Sequence, residues 1–311
     1  MRVHLDTDLG SDPDDVCALA MLLGWPEVEV VAVTTCAEVG GQRAAYAGYC
    51  LRLLGRDDIP VVAGARNSLS HDRLVHPVVG DPRYWPGEIR PQPARPGAAG
   101  DLLRDSVGQG ATLVAIGPYT NLALLEQAEP GILHDTAVVV MGGWTQPPAA
   151  GLPPWGPERD FNVQWDTRAA QILAGACSRL TLCTLPASLQ VPLRARDLPR
   201  LRGLGPMGDL LATQSEAHGR DSGKSELGSA YAGLPDDLLN FHYDPLACAV
   251  AVGWPAATVE EMRLHAALDG EVLRFWPDQD GRPVRVVVSA DGPAFTETWL
   301  AAVRTACERA R

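Results

Sequence analysis

The chain has 311 residues, of which 46% are apolar and 21% charged, enough to bury a substantial core as one large α/β domain or two smaller ones. Lysine and arginine number 26 against 38 aspartates and glutamates, a net charge of −12. With no basic stripe to neutralise phosphates, that balance argues against a nucleic-acid partner. No run of about twenty apolar residues is present to span a bilayer. Residues 1–6 enter a charged motif without an apolar signal segment, so no membrane partner and a cytoplasmic location are expected. The seven cysteines form no CxxC pair and lie mostly in apolar runs, which fits reduced, buried thiols.

In chain order, a short apolar run at 3–5 stops at Asp6, and a helical pattern follows over 14–23. Residues 28–33 are rich in β-branched valine, the pattern of a strand covered on both faces. Helical patterns at 44–54, 99–107, 121–127 and 167–174 then alternate with strand-like runs at 59–62, 112–116, 137–141 and 180–182. That alternation predicts an α/β fold: a single large domain with a mostly parallel sheet flanked by helices. Residues 66–98 (rich in Pro, His, Arg and Gly) and 203–239 (rich in Gly and Ser) are expected to be irregular, lid-like segments. Two further strand-like runs, 262–267 and 284–288, precede a final helix over 293–304, and no linker divides the chain.

Ligand sites in such folds lie beyond the carboxyl ends of the strands. Residues 6–15, the segment from Thr34, residues 117–121 and residues 141–143 all fall there. The first of these holds Asp6, Asp8, Asp12, Asp14 and Asp15, five carboxylates in ten residues. Helix capping accounts for part of the cluster, since Asp12 suits an N-cap, Pro13 the first helical position, and Asp14 and Asp15 the positive end of the helix dipole. It leaves Asp6 and Asp8 unexplained. An all-oxygen cluster favours a hard cation, calcium above magnesium, and no His/Cys cluster suggests zinc.

The motif Asp6-Thr7-Asp8-Leu9-Gly10 followed by Asp14-Asp15-Val16-Cys17-Ala18-Leu19 resembles the N-terminal signature of the inosine–uridine nucleoside hydrolases. The resemblance extends over most of the chain: Val33-Thr34-Thr35, Gly117-Pro118-Tyr119-Thr120-Asn121-Leu122-Ala123, Met141-Gly142-Gly143, Asp160-Phe161-Asn162 with Asp166 to Ala170, and Tyr243-Asp244-Pro245-Leu246-Ala247. It implies a calcium-dependent, inverting N-glycosyl hydrolase with a Rossmann-like core, assembled as a homodimer or homotetramer. It also implies roles. Asp8, Asp15, Asp244 and the Thr120 carbonyl would hold Ca2+, with Asp8 the general base toward water. Asp14, Asp160, Asn162 and Met141 would bind the sugar of a nucleoside or related N-riboside, and Asp6 would support the metal ligands.

Several positions depart from that pattern. Gly10-Ser11-Asp12-Pro13-Asp14-Asp15 carries one extra residue, so Asp12 is an alternative to Asp14 at the sugar. Val39 stands where the family has a polar group, with Glu38 beside it as a substitute. The family histidine is Tyr243 here, with His242 one residue earlier, about 100° around a helix. Both are candidates to assist the leaving base. A tyrosine is a poor proton shuttle at neutral pH, which predicts a preference for good leaving groups such as an activated aryl group or a cationic base. Trp85, Trp144, Trp155 and Trp165 are candidate stacking partners for a base, His71 and His76 candidate lid residues, and Arg43 is expected to pair with a carboxylate. A phosphatase of the haloacid-dehalogenase type is a weaker reading, because the one lysine, Lys224, lies in a loop-like stretch. A non-catalytic, calcium-dependent nucleoside- or ribose-binding protein is the rival reading, motivated by Val39 and Tyr243.

Overall fold

The computed structural model describes residues 1–71 and 74–310. The chain begins with β1 (Arg2–Thr7), α1 (Asp14–Gly24), β2 (Glu29–Thr35), α2 (Gln42–Leu53) and β3 (Val61–Ala63). After the segment 66–97, which carries no helix or strand among its described residues, come α3 (Ala98–Gly108), β4 (Thr112–Ala115), α4 (Thr120–Ala128) and β5 (Ala137–Met141). A short α5 (Phe161–Trp165) and α6 (Thr167–Ala176) lead to β6 (Arg179–Cys183), α7 (Leu185–Ser188) and β7 (Pro192–Arg194). The last third holds α8 (Pro206–Asp221), α9 (Lys224–Ala230), β8 (Leu238–Phe241), α10 (Tyr243–Ala251), β9 (Ala257–Asp269), β10 (Val272–Pro277), β11 (Arg282–Ala290) and α11 (Gly292–Arg309).

Nine strands form one sheet in the order β10-β9-β11-β6-β5-β4-β1-β2-β3. From β3 to β11 every neighbouring pair is parallel, and β9 and β10 add an antiparallel edge. The fold class is therefore the expected one. The central strands are buried on both faces, which is why 30–33 and 137–141 read as continuous apolar runs rather than alternating ones. One apolar core packs α1, α2, α8, α10 and α11 against the sheet; a second lies under α4, α6 and the strands β4, β5, β6 and β11. All seven cysteines are buried. Among the described residues no helix is long and apolar enough to cross a membrane.

Two expectations are corrected. Much of 203–239 is helical, in α8 and α9. Its glycines are not turn residues alone: a Cβ at Gly208 would strike Leu201 and Leu204, and one at Gly219 would lie 2.7 Å from Leu239 Cδ2, so these positions let α8 pack closely. At the other edge of the sheet, an additional strand, β10, falls in sequence between the two expected ones. Its signal was Gly270, at φ 63°, the first of the two residues, Gly270 and Glu271, that close the β9–β10 hairpin.

The strand order reverses direction between β1 and β4, so the loops leaving their carboxyl ends diverge and open a crevice. The loops carrying Asp8 and Gly117 flank that point.

Candidate active site

A cavity of about 410 Å³ opens at this edge, lined by Asp8, Asp12, Asp14, Asp15 and Asp244 together with Met141, Asp160 and Asn162. Tyr243, Trp155, Arg159 and Lys224 line it as well. The β4–α4 turn comes in so closely that a Cβ at Gly117 would sit 2.8 Å from Asp8 Oδ1 and 2.7 Å from its backbone nitrogen. Glycine is required there for the two loops to meet.

The tightest carboxylate set is Asp14, Asp15 and Asp244, all buried, each offering an oxygen within 4.8 Å of the others. Asp14 and Asp15 open α1 and Asp244 opens α10, so two helix N-termini deliver the set. Burial pushes all three well above the usual carboxylate range, and neighbouring negative charges push them further: Asp12 and Asp244 on Asp14, Asp8 on Asp15, and Asp15 and Asp8 on Asp244. Burial also raises Asp8, against the opposing charge of Arg43. Four carboxylates that repel one another, with Arg43 the cation that acts on Asp8 and Asp15, fit a divalent oxygen-loving cation. Thr7 donates its hydroxyl to Asp15 and fixes that side chain.

Thr120, at the first turn of α4, is fully buried and outside the cavity lining; its hydroxyl donates to Asp166 Oδ2 at 2.7 Å. Asp166 in turn accepts from Leu69 N at 2.8 Å and Ser70 Oγ at 3.0 Å, joining the 66–98 segment to this turn. Asp6 does not line the cavity. It lies beneath, accepting from Thr34 Oγ1 at 2.5 Å and Asn121 Nδ2 at 2.7 Å, with its carboxyl raised by burial to about 7.

On the other wall, Asn162 commits its amide to the Ile116 carbonyl at 2.8 Å and the Met141 carbonyl at 3.0 Å. That pins α5 to the ends of β4 and β5 and leaves Oδ1 as the acceptor. Asp160 caps α5 through Val163 N and also accepts from Gly143 N at 2.5 Å, while burial raises its carboxyl to about 6. Gly142, at φ 144°, allows this turn, because a Cβ would collide with the Tyr119 hydroxyl.

Three sequence expectations fail on geometry. Glu38 does not line the cavity; it accepts from Thr35 Oγ1 and from the backbone nitrogens of Val39, Arg43 and Ala44, so it caps the start of α2. His242 faces away from the cavity, its ring 4.4 Å from that of Trp299 and 5.3 Å from that of Phe295. Tyr243, the next residue on α10, takes the cavity side. Arg43 pairs with no carboxylate among the described residues. Its buried guanidinium donates instead to the carbonyls of Asp8, Leu9, Val75 and Ala37. It holds the Asp8 loop by its backbone, a role that residue type alone did not signal.

Of the four tryptophans, only Trp155 lines the cavity. Trp85 stacks on Tyr46 at 4.0 Å and donates to the Gly10 carbonyl, Trp144 donates to the Trp155 carbonyl, and Trp165 is buried. Neither His71 nor His76 lines the cavity. Sequence reading missed Arg159 and, as a cavity residue, Lys224.

The sequence profile of the inosine-uridine preferring nucleoside hydrolase family matches residues 3–297, and the chain belongs to that family. A pyrimidine-specific ribonucleoside hydrolase RihA of Shewanella sp. (strain MR-7) is 35% identical over 212 residues, covering 65% of this chain and 64% of that protein. Its counterpart in Salmonella schwarzengrund (strain CVM19633) is 32% identical over 215 residues, 66% of this chain and 67% of that protein. The match to the Shewanella protein thus spans just under two thirds of its length. The fold is that of a purine-preferring ribonucleoside hydrolase from Gardnerella vaginalis (TM-score 0.80, 22% identity, 99% of both chains). It is also that of an inosine-uridine preferring nucleoside hydrolase from Bacillus anthracis (TM-score 0.72, 21% identity, 98% and 99% of the chains).

Proposed function

We propose that the chain hydrolyses the N-glycosidic bond of ribonucleosides or related N-ribosides, giving free base and ribose, with Ca2+ held by Asp8, Asp15, Asp244 and the Thr120 carbonyl. The observation that carries this reading is the buried Asp14–Asp15–Asp244 set beside Asp8, placed at the switch point of the sheet. The cation would acidify a water and offset the charge of the cluster.

The chain's own residues do the rest. Asp8 accepts the proton of the attacking water. Loss of the base leaves oxocarbenium character on the ribose, and the carboxylates of Asp14 and Asp160 around the ring stabilise it. Asp14 receives ribose hydroxyls, while Asn162 Oδ1, fixed by the two carbonyl contacts of its amide, receives another. Tyr243 stays a neutral donor, because burial and then the charges of Asp12 and Asp14 hold its hydroxyl well above its ordinary pKa. It can hydrogen-bond a departing base but does not exchange protons readily near neutrality.

The test is release of reducing sugar from inosine, uridine and cytidine with calcium present, in the wild type and in Asp8→Asn. Release that falls by several orders of magnitude in Asp8→Asn supports the reading. No release from any nucleoside, with ribose still bound in a calorimeter, would favour a binding protein instead.

A further inference from the structure

The rim of the cavity has the opposite sign to its floor. Lys224 Nζ lies 5.7 Å from the Phe241 ring centre and 5.9 Å from that of Tyr243. The Arg159 guanidinium lies 5.3 Å from the Trp155 ring centre. Trp155 meets Phe241 edge-on at 6.1 Å, and Phe241 lies 5.5 Å from Tyr243, so one aromatic cluster carries both cations. Lys224 is the chain's single lysine. Neither cation forms an ion pair with a carboxylate among the described residues. Asp12, the acid on which the charge of Lys224 acts, is already held by His218 Nε2 at 3.3 Å and Asn240 Nδ2 at 2.5 Å.

A neutral nucleoside offers these two cations no counter-charge. A cationic base would be repelled by them, which argues against the leaving-group preference that the sequence suggested. An anion on the substrate would supply that counter-charge, and charge-assisted contacts in a partly enclosed site are stronger than those on an open surface.

We propose that the cavity accepts N-ribosides that carry an anionic group, a carboxylate on the base or a phosphate on the ribose 5′ oxygen, bound by Lys224 and Arg159. The proposal rests on the N-riboside reading above, and its own failure is separable from a failure of that reading.

The experiment compares kcat/KM, at fixed ionic strength with calcium, for uridine, for orotidine (uridine with a base carboxylate) and for uridine 5′-monophosphate. One of the two anions should exceed uridine by roughly tenfold or more, which corresponds to about 1.4 kcal/mol. Which anion it is separates the two sources. The preference should shrink in Lys224→Met and in the exposed Arg159→Gln, through KM more than kcat, and should weaken as salt rises. Uridine turnover with neither anion preferred would overturn the proposal, as would a preference that survives in the double variant. If all three substrates are inert, the hydrolase reading fails, and binding then decides the charge proposal. Ribose 5-phosphate or orotate should raise the melting temperature of the wild type more than ribose or uracil does, and this difference should be lost in Lys224→Met. Equal effects of charged and neutral probes would overturn it.

Discussion

Asn240 donates from Nδ2 to Asp12 Oδ1 at 2.5 Å, while His218 Nε2 lies 3.3 Å from the other oxygen of the same carboxylate. Asp12 is thereby held by two partners from β8 and α8, and Asp14 N–H donates to it as well, at 3.3 Å. Its carboxyl lies below the ordinary range despite burial, because His218 and Lys224 act on it. Asp14 has neither of these partners and stands with Asp15 and Asp244.

These contacts favour Asp14 over Asp12 as the proposed sugar ligand, the choice left open by the extra residue before the aspartate pair. Asp14→Asn is expected to lower kcat/KM for a nucleoside by roughly a hundredfold, the loss of a charge-assisted contact at about 1.5–3 kcal/mol. Asp12→Asn should cost less, roughly tenfold. Steady-state kinetics on both variants checks the order, and the reverse order would move the sugar contact to Asp12.

Removing the cation should register in stability as well as in turnover. A ligand present at a hundred times its Kd stabilises the folded state by about 2.7 kcal/mol, which in a chain of this size is a melting shift of roughly 4 °C. Calcium should raise the melting temperature of the wild type by that order, and a chelator should reverse it. Asp244→Asn should abolish the shift. A melting temperature indifferent to calcium in the wild type would count against the site.

The parts of this site that could be read in the sequence are those whose chemistry is local. Asp12, Asp14 and Asp15 announce a helix start, and the apolar run of β5 announces a buried strand ending at Met141. What could not be read depends on partners distant in sequence. Arg43 meets carbonyls at Asp8, Leu9 and Val75, more than thirty residues away, and a guanidinium bound to carbonyls leaves no pattern in spacing. Glu38 looked available for a substrate because its capping targets are backbone nitrogens, which every residue has. Lys224 was hidden by the glycines and serines around it, although glycines in α8 and α9 mark close packing rather than loops.

A buried histidine away from the cavity gives a pH signature. His4 is fully buried between Ser106 Oγ at 2.8 Å and Thr34 Oγ1 at 3.0 Å, and burial lowers its pKa from 6.5 to about 3. The unfolded chain takes up a proton there as pH falls below about 6.5, whereas the folded chain does not until near 3. His4 therefore contributes a loss of stability that grows from pH 6.5 downward, about 2 kcal/mol at pH 5. His4→Gln does not titrate, so denaturation of the variant between pH 7 and 5 should show a slope shallower by that amount. Parallel profiles for the two proteins would refute the assignment.

The adjacent residues His242 and Tyr243 make opposite predictions because α10 turns them to opposite sides. Tyr243 lines the cavity, and its hydroxyl is held neutral by burial and by Asp12 and Asp14. Tyr243→Phe removes one hydrogen bond to a departing base, so it should slow uridine or inosine by roughly tenfold. A 4-nitrophenyl riboside needs little such help and should slow by much less. His242 packs on Phe295 and Trp299, both of its ring nitrogens lack a hydrogen-bond partner among the described residues, and burial lowers its pKa to about 3. It is neutral at physiological pH and has no path to the substrate, so it cannot act as the acid. His242→Ala opens a cavity against two aromatic rings and should lower stability by roughly 2 kcal/mol or more. Whatever activity it loses should be lost equally for the two substrates. The ratio of kcat/KM for uridine to that for the nitrophenyl riboside separates the roles: it should fall in Tyr243→Phe and hold constant in His242→Ala. A ratio that falls in His242→Ala instead would mean that α10 rotates when substrate binds and presents His242 to the base.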